Sequence, residues 1–460
     1  MDYDESLRWL QTLPDFERTG QFSSRPDVAP VLALLDALGS PHLGRPTLHI
    51  AGSKGKGSTA AIAESILRAA GRHTGFYLSP HLHRFVERVR VDGAPTAPET
   101  FARAMTAVRE AMPAITKQFP GRELVAFDAL TAAAFVVFAE AEVEAQVIEV
   151  GLGGLLDSTN VFQEADDAHV SAITSISLEH TAVLGSTIAE IAAQKAGIIV
   201  PGDVVVTAPM RESALDVVRE RAAAQGANVI EVPAVCQIAR TSANSEGQDF
   251  RLKTPRATYA AHLPLAGRHQ LDNAATAVVA CEALAERGGF ELAEADVRRG
   301  IADVQWHGRL EVLKRRPTII IDGAHNADSA KRMAVALREY FGLSHAVFLA
   351  GTLADKDIAG MAAAVADMAE GVFVAAWPND RAADPRALAD AFRACDVPVT
   401  SFGSLPAAYE AAVAEAGERG AVVAFGAISF AAAVREYVLG IESDMIRLRL
   451  GAPRTPEAGR

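Results

Sequence analysis

Thr47-Leu48-His49-Ile50-Ala51-Gly52-Ser53-Lys54-Gly55-Lys56-Gly57-Ser58 is the stretch that decides the architecture. Thr47 to Ala51 reads as a buried strand set off by Pro46 and Gly52. Thr59 to Ala70 reads as a helix, because Ile62, Ile66 and Ala70 recur at the spacing of one helix face and Gly71 suits its end. A strand that runs through a Gly/Lys loop into a helix is a phosphate-binding arrangement. Glycines let backbone N–H groups approach phosphate oxygens, and the helix N-terminus adds partial positive charge. Gly52, Ser53, Lys54, Gly55, Lys56, Gly57 and Ser58 are therefore the candidate nucleotide-binding residues. Lys56 is placed to reach the β- and γ-phosphates, and a hydroxyl of Ser58 or Thr59 can face Mg²⁺. The spacing is not standard, since Gly57 separates the lysine from the hydroxyl residue. A flexible turn would account for the glycines alone, but not for the strand before and the helix after them.

Outward from this loop, strand-like runs alternate with helical stretches. Gln146 to Val150, Val170 to Ser177 and Asp203 to Thr207 read as strands, and alternation of this kind implies parallel strands with crossover helices. Between about Val229 and Leu265 the text alternates polar and apolar, as a small antiparallel sheet does, and a helix from Asp272 to Arg287 closes this half. The alternation restarts with strands at Thr318–Ile321, Ala346–Ala350, Val372–Ala376 and Ala421–Phe425. The fold class is α/β: a phosphate-loop ATPase-type domain over 1–303, with a mostly parallel sheet and a small antiparallel subsheet, then a Rossmann-like domain over 304–460. The tail 451–460, rich in Pro, Gly and charge, is expected to be irregular.

Composition narrows the function. A length of 460 residues suits two or three domains, and a net charge of -13 argues against nucleic acid as the main partner while leaving room for a local basic pocket. No apolar run is long enough to span a bilayer, and the acidic start Met1-Asp2-Tyr3-Asp4-Glu5 lacks signal-peptide order, so a cytoplasmic protein with no membrane partner is expected. Cys236, Cys281 and Cys395 show no metal or redox spacing, and His81-x-His83 lacks further ligands nearby.

Several residues stand out chemically. Glu149 is a carboxylate inside an apolar strand, so it needs a cation: either Mg²⁺ on bound phosphates or a basic side chain. His180 follows the third strand, at a carboxyl end where α/β ligands bind. Lys195 reads by itself as a helix-end lysine. Asp322-Gly323-Ala324-His325-Asn326 directly follows a strand; His325 and Asn326 are open to substrate binding, and Asn326 equally to capping the next helix.

Taken in register, these stretches resemble the Mur-ligase superfamily and, within it, the folylpolyglutamate synthase/dihydrofolate synthase family. The resemblance rests on His49 to Ser58, Tyr77 to Leu82, Glu87 to Val91, Glu149 to Asn160, His180 to Gly185, Lys195 to Ile198, Gly267 to Gln270 with Asn273, Gly308 to Glu311, and Asp322 to Asn326. It implies an amide-forming ligase: ATP phosphorylates a pteroate or folate carboxylate, and L-glutamate displaces the phosphate. It implies ATP and Mg²⁺ as cofactors, with the loop Gly52–Ser58 and Asn273, Arg309 and Asp322 on ATP, and Ser79, Glu149 and His180 on Mg²⁺. Lys56, Glu149, His180 and Lys195 are the catalytic set it implies, with Lys195 carbamylated. Phe127, Asp128, Leu156, Asp157 and Ser158 fall on the pterin side, and His325 on the glutamate side. The partners are dihydropteroate or a reduced folate, and a monomer is adequate for a two-domain cleft.

The chain departs from the family pattern at Lys54 (asparagine is usual), Leu155 (arginine), Glu179 (aspartate), Gln194 (glutamate), His307 (proline) and Ala427, where the family has a Gly-Ser motif. Loss of the Leu155 charge bears most on acceptor choice, because an arginine fork suits carboxylates. Two other readings stand beside this one: a divergent Mur-type ligase with another carboxylate acceptor, and a non-catalytic ATP-binding paralogue. A cell-wall Mur ligase fits less well, as only about fifty residues precede Gly52.

Overall fold

A computed structural model of the chain describes residues 1–20, 26–163 and 168–444. The expected irregular tail 451–460 lies outside the described residues. The first sheet contains β1 (Thr47–Ala51), β2 (Thr74–Tyr77), β3 (Val89–Val91), β4 (Ala94–Pro95), β5 (Ala145–Glu149), β6 (His169–Ile173), β7 (Val204–Thr207) and β8 (Asn228–Glu231), in the order β4-β3-β2-β5-β1-β6-β7-β8. Strands β2, β5, β1, β6, β7 and β8 are parallel, and β3 and β4 add an antiparallel hairpin at one edge. All five residues of β1, β5 and β6 are buried, because helices cover both faces. On one face lie the helices Lys56–Ala69, His269–Gly288 and Glu294–Ala302. On the other, Pro98–Gln118 and Ala126–Glu140 pack with the N-terminal helices Tyr3–Thr12 and Ala29–Ala37.

A three-stranded antiparallel sheet follows, β9 (Gln237–Asn244), β10 (Gly247–Lys253) and β11 (Thr258–Leu263), in the order β11-β10-β9. Its Phe250, Leu252, Tyr259 and Leu263 join the core of the first sheet. The last sheet contains β12 (Glu311–Arg315), β13 (Thr318–Ile321), β14 (Ala346–Ala350), β15 (Ala369–Ala375), β16 (Val399–Phe402) and β17 (Ala421–Phe425), in the order β12-β13-β17-β14-β15-β16. All its pairings are parallel except β12 with β13.

Some boundaries differ from those read in the sequence. The helix after the loop begins at Lys56, not Thr59, so Lys56, Gly57 and Ser58 form its first turn. Residues Asn228–Glu231 belong to the first sheet, paired parallel with β7, and not to the antiparallel one. Strand β6 stops at Ile173, since Thr174 to Ser177 turn back to bond the phosphate loop. Asp203 precedes β7 and accepts hydrogen bonds from Ser171 (2.6 Å) and Val200 N–H (3.4 Å), with His169 Nδ1 3.2 Å away.

The topology fixes where chemistry takes place. Strand β1 lies between β5 and β6, and the loops leaving all three emerge at one carboxyl edge, the usual ligand position in open parallel sheets. Loops after β13, β14 and β17 emerge at the carboxyl edge of the last sheet. Polar seams tie the helix Ala327–Phe341 to the rest: Lys54 of the phosphate loop pairs with Asp328, Arg240 of β9 with Glu339 (2.5 Å), and Tyr340 donates to Gln248 of β10 (2.7 Å).

Candidate active site

Backbone geometry builds the phosphate loop first. Gly52 has φ +147, and a Cβ there would lie 1.8 Å from Thr174 Oγ1, so only glycine fits. Ser53 and Lys54 N–H groups donate to Ser175 O at 2.9 and 3.3 Å, and Ser53 Oγ donates to Ser177 O at 3.0 Å. These bonds anchor the loop on the segment after β6. The next four N–H groups, of Gly55, Lys56, Gly57 and Ser58, have no acceptor among the described residues. Unpaired N–H groups at a helix start make an anion site. Asn273, near the start of the helix His269–Gly288, presses its Oδ1 on Gly55, 2.3 Å from where a Cβ would stand.

Cations gather around this loop in a chain of net charge -13. Lys56 Nζ donates to Gly52 O (3.1 Å), and Lys195 Nζ donates to the same oxygen (2.9 Å) and to Glu179 Oε1 (2.7 Å). Lys195 is 1% exposed. Its burial lowers its pKa to about 8, against the pull of Glu179 and with the push of Lys56. It stands in the last turn of Ile188–Ala196, but its ammonium leaves its own helix for the site, so the helix-end reading does not describe it.

Glu149 ends β5 and is 5% exposed. Ser79 N–H donates to its Oε2 at 3.3 Å, and it forms no ion pair among the described residues. Its burial raises its pKa to about 7, opposed by Lys56, the Ser79 hydrogen bond, Arg309 and Arg88. A structural salt bridge is therefore not what it is there for. The hydroxyls of Ser58 and Thr59 make no hydrogen bond among the described residues, and that of Thr59 is buried. An unpaired carboxylate, unpaired hydroxyls and the Ser79 loop are oxygen donors of the kind a hard divalent cation takes, so these residues fit Mg²⁺. His180 stands at φ 44, exposed at the mouth of the β6 loop.

The last sheet supplies the opposite wall. Asp322 follows β13 and accepts from Leu310 N–H (2.9 Å) and Ala324 N–H (2.8 Å). Withdrawal from solvent raises its pKa, and Arg309 opposes the rise. Arg309 donates to Gly308 O (3.2 Å) and lies against Gly323. His325 is exposed, with Nδ1 2.9 Å from Gly323 O. Asn326 caps the helix Ala327–Phe341 by accepting from Ser329 N–H at 2.9 Å, which settles its role as a cap.

A second group adjoins the first through Gly151, two residues after Glu149, where a Cβ would meet Phe127 Cζ at 2.5 Å. Phe127 also stacks near Tyr77, with ring centroids 5.8 Å apart. Asp128 accepts from Ser158 Oγ (2.6 Å) and Val125 N–H (2.8 Å); its burial raises its pKa to about 6. Asp157 is used within its own loop, accepting from Leu152 N–H (2.8 Å) and Thr159 Oγ1 (2.6 Å). Leu155 and Leu156 are each 39% exposed beside them. Sequence reasoning missed Asp328, the partner of Lys54, and Trp306, which packs on Gly57. Only the position of Trp306, a rare large residue just before Gly308-Arg309, hinted at the second.

A phosphate loop with free amides, a buried carboxylate that forms no ion pair among the described residues, and an arginine and an aspartate from a second sheet fit the class of ATP-dependent amide-forming ligases. The family models agree: residues 114–281 match the Mur ligase middle domain and 308–428 the Mur ligase glutamate ligase domain. The dihydrofolate synthase/folylpolyglutamate synthase of Mycobacterium tuberculosis is 35% identical over 396 residues, covering 83% of this chain and 78% of that protein. A probable bifunctional folylpolyglutamate synthase/dihydropteroate synthase of Haloferax volcanii is 35% identical over 442 residues; the alignment covers 95% of this chain but 50% of that protein. The crystal structure of M. tuberculosis folylpolyglutamate synthase complexed with ADP and AMPPCP superposes with a TM-score of 0.86 at 33% identity, covering 96% of this chain and 100% of that one. The chain belongs to the folylpolyglutamate synthase/dihydrofolate synthase family of Mur ligases.

Proposed function

We propose that this chain joins L-glutamate to the carboxylate of dihydropteroate or a reduced folate, driven by ATP through an acyl phosphate. The observation that carries the reading is a loop with free amides and Lys56 beside the buried Glu149, whose carboxyl also feels the charge of Arg309 from the other half. Gly52 to Ser58 hold the phosphates, while Asn273, Arg309 and Asp322 hold the rest of the nucleotide. Ser79, Glu149 and His180 would hold Mg²⁺, which would neutralise charge on the transferring phosphoryl group. Phe127, Asp128, Leu156, Asp157 and Ser158 face the acceptor, and His325 the incoming glutamate.

An acceptor carboxylate oxygen attacks the γ-phosphorus, and the bond from that phosphorus to the β,γ-bridging oxygen breaks as ADP leaves. The neutral α-amine of glutamate then attacks the acyl carbon. Phosphate leaves with the electrons of the C–O bond, and the amine proton passes to solvent. Lys56 and Arg309 supply positive charge where the phosphoryl oxygens sit. Closure of the two sheets excludes water that would hydrolyse the acyl phosphate. Carbamylation of Lys195 belongs to the same reading: only a neutral amine adds CO₂, and a pKa of about 8 keeps part of the population neutral.

We place the division between the halves near Asp303, as 1–303 and 304–460, after the helix Glu294–Ala302 ends and before Glu311 opens the last sheet. A monomer in the cytoplasm without nucleic-acid partners completes the reading; a net charge of -13 disfavours phosphate-backbone binding. No helix among the described residues is long and apolar enough to cross a membrane. Hydroxylamine tests the mechanism by intercepting the acyl phosphate. With Mg-ATP and dihydropteroate but no glutamate, it should yield the acceptor hydroxamate and ADP in equal amounts. ATP hydrolysis that ignores the acceptor, with no hydroxamate, would overturn the reading.

A further inference from the structure

Gly57 is the residue that makes the loop spacing unusual, and its backbone gives no reason for glycine, because it is not among the positive-φ positions. The reason is space. A Cβ on Gly57 would stand 2.5 Å from Cζ2 of Trp306, and both Glu149 carboxylate oxygens lie 3.4 Å from that same point. The indole edge and the Glu149 carboxylate thus converge on one glycine of the phosphate loop. The ring is held from behind by Phe76 (centroids 6.1 Å apart, 35° between planes) and by the Arg90 guanidinium 6.0 Å from its centroid. Its Nε1 is buried with no acceptor among the described residues.

Trp306 also sits in the run of chain that passes from the first sheet to the last. Two residues on, a Cβ at Gly308 would meet Ile428 Cδ1 at 2.9 Å, and Gly308 O accepts from Gly323 N–H at 3.0 Å. Arg309 next lies against Gly323. One short run therefore bears on the phosphate loop at one end and on the loops after β13 and β17 at the other. A displacement of the last sheet that moves Gly308 and Arg309 moves the indole on Gly57.

We propose that Trp306 is a positioning residue that relays the arrangement of the two sheets to the phosphate loop, fixing the spacing between the Gly55–Ser58 amides and Glu149 that the triphosphate requires. The proposal rests on the nucleotide reading of that loop, and the test separates the two. Trp9 and Trp377 are replaced by phenylalanine, leaving Trp306 as the sole tryptophan of three, and emission is followed as Mg-ATP is added. Trp306→Leu and Trp306→Phe are compared in the otherwise native chain for ATP dissociation constant, KM for L-glutamate, kcat and melting temperature.

The relay predicts a saturable emission change with Mg-ATP. It predicts an ATP dissociation constant raised about tenfold or more in Trp306→Leu, KM for L-glutamate little changed, and substantial recovery in Trp306→Phe, whose flat ring still stacks on Phe76. Emission that ignores bound nucleotide would overturn it. So would losses in Trp306→Leu that fall equally on ATP and glutamate and track melting temperature, the mark of a merely structural tryptophan. Failure of the unaltered enzyme to bind ATP in calorimetry would overturn the nucleotide reading itself.

Discussion

Glu149→Gln should make the metal-free protein more stable and the enzyme inactive. Glu149 is 5% exposed, and burial lifts its carboxyl from 4.5 to about 7 despite Lys56, the Ser79 hydrogen bond, Arg309 and Arg88. A carboxyl whose folded-state pKa lies above its unfolded value stabilises the fold while protonated. That contribution is complete below about pH 4.5 and is lost as pH rises through about 7. The displacement is worth on the order of 3 kcal/mol at pH 8.5. Glutamine is neutral throughout, keeps the side-chain size, and its Oε1 can still accept from Ser79 N–H. Variant and parent should therefore melt together at pH 5. At pH 8.5 without metal the variant should melt roughly several degrees higher. Mg-ATP should raise the parent's melting temperature and leave that of the variant nearly unmoved, and Mg²⁺-dependent turnover should fall by about a hundredfold or more. The assay is thermal unfolding at the two pH values, with ADP release measured in parallel. A variant no more stable than the parent at pH 8.5, or one that retains Mg²⁺-dependent turnover, would show that Glu149 is neither a buried, costly charge nor needed for the metal.

Other consequences follow from single contacts. With a pKa of about 8, Lys195 is about one-tenth neutral at pH 7, so ADP release should decline in CO₂-depleted buffer, recover with bicarbonate, and be abolished without recovery in Lys195→Arg. Lys54 and Asp328 join the phosphate loop to the helix Ala327–Phe341 with Asp328 57% exposed; a double-mutant cycle of Lys54→Asn and Asp328→Ala on ATP affinity should give a coupling of about 0.2–1 kcal/mol that vanishes in high salt. Ala427 has the extended backbone of a helix N-cap (φ -159, ψ 150) and no side-chain cap bond, so Ala427→Ser should stabilise by about 1 kcal/mol in chemical unfolding.

The parallel strands were legible because their burial is written in short, largely apolar runs: Leu48-His49-Ile50 and Val147-Ile148 need no partner to be recognised. The hairpin of β3 and β4 was not, since strands of three and two residues carry too little pattern. The helix start at Lys56 was misjudged for a physical reason: its first turn, Lys56-Gly57-Ser58-Thr59, holds a glycine and two hydroxyl residues, poor helix text. Glu149 announced itself as a charge in an apolar strand. That it forms no ion pair among the described residues is a tertiary fact. The same holds for Gly57, whose identity is dictated by Trp306 from 249 positions away, and for Lys54, whose partner Asp328 lies in the other sheet's helix. His325 and Asn326 read alike in sequence, and hydrogen bonding gave Asn326 to its helix.

The decisive measurement is phosphate release by the purified enzyme with Mg-ATP and L-glutamate, with dihydropteroate or tetrahydrofolate added in separate reactions. Release should require both glutamate and one of these acceptors, with one amide formed per phosphate. Bound ATP with no release in either reaction would contradict it and point to the exposed Leu155 as the place where acceptor choice has changed.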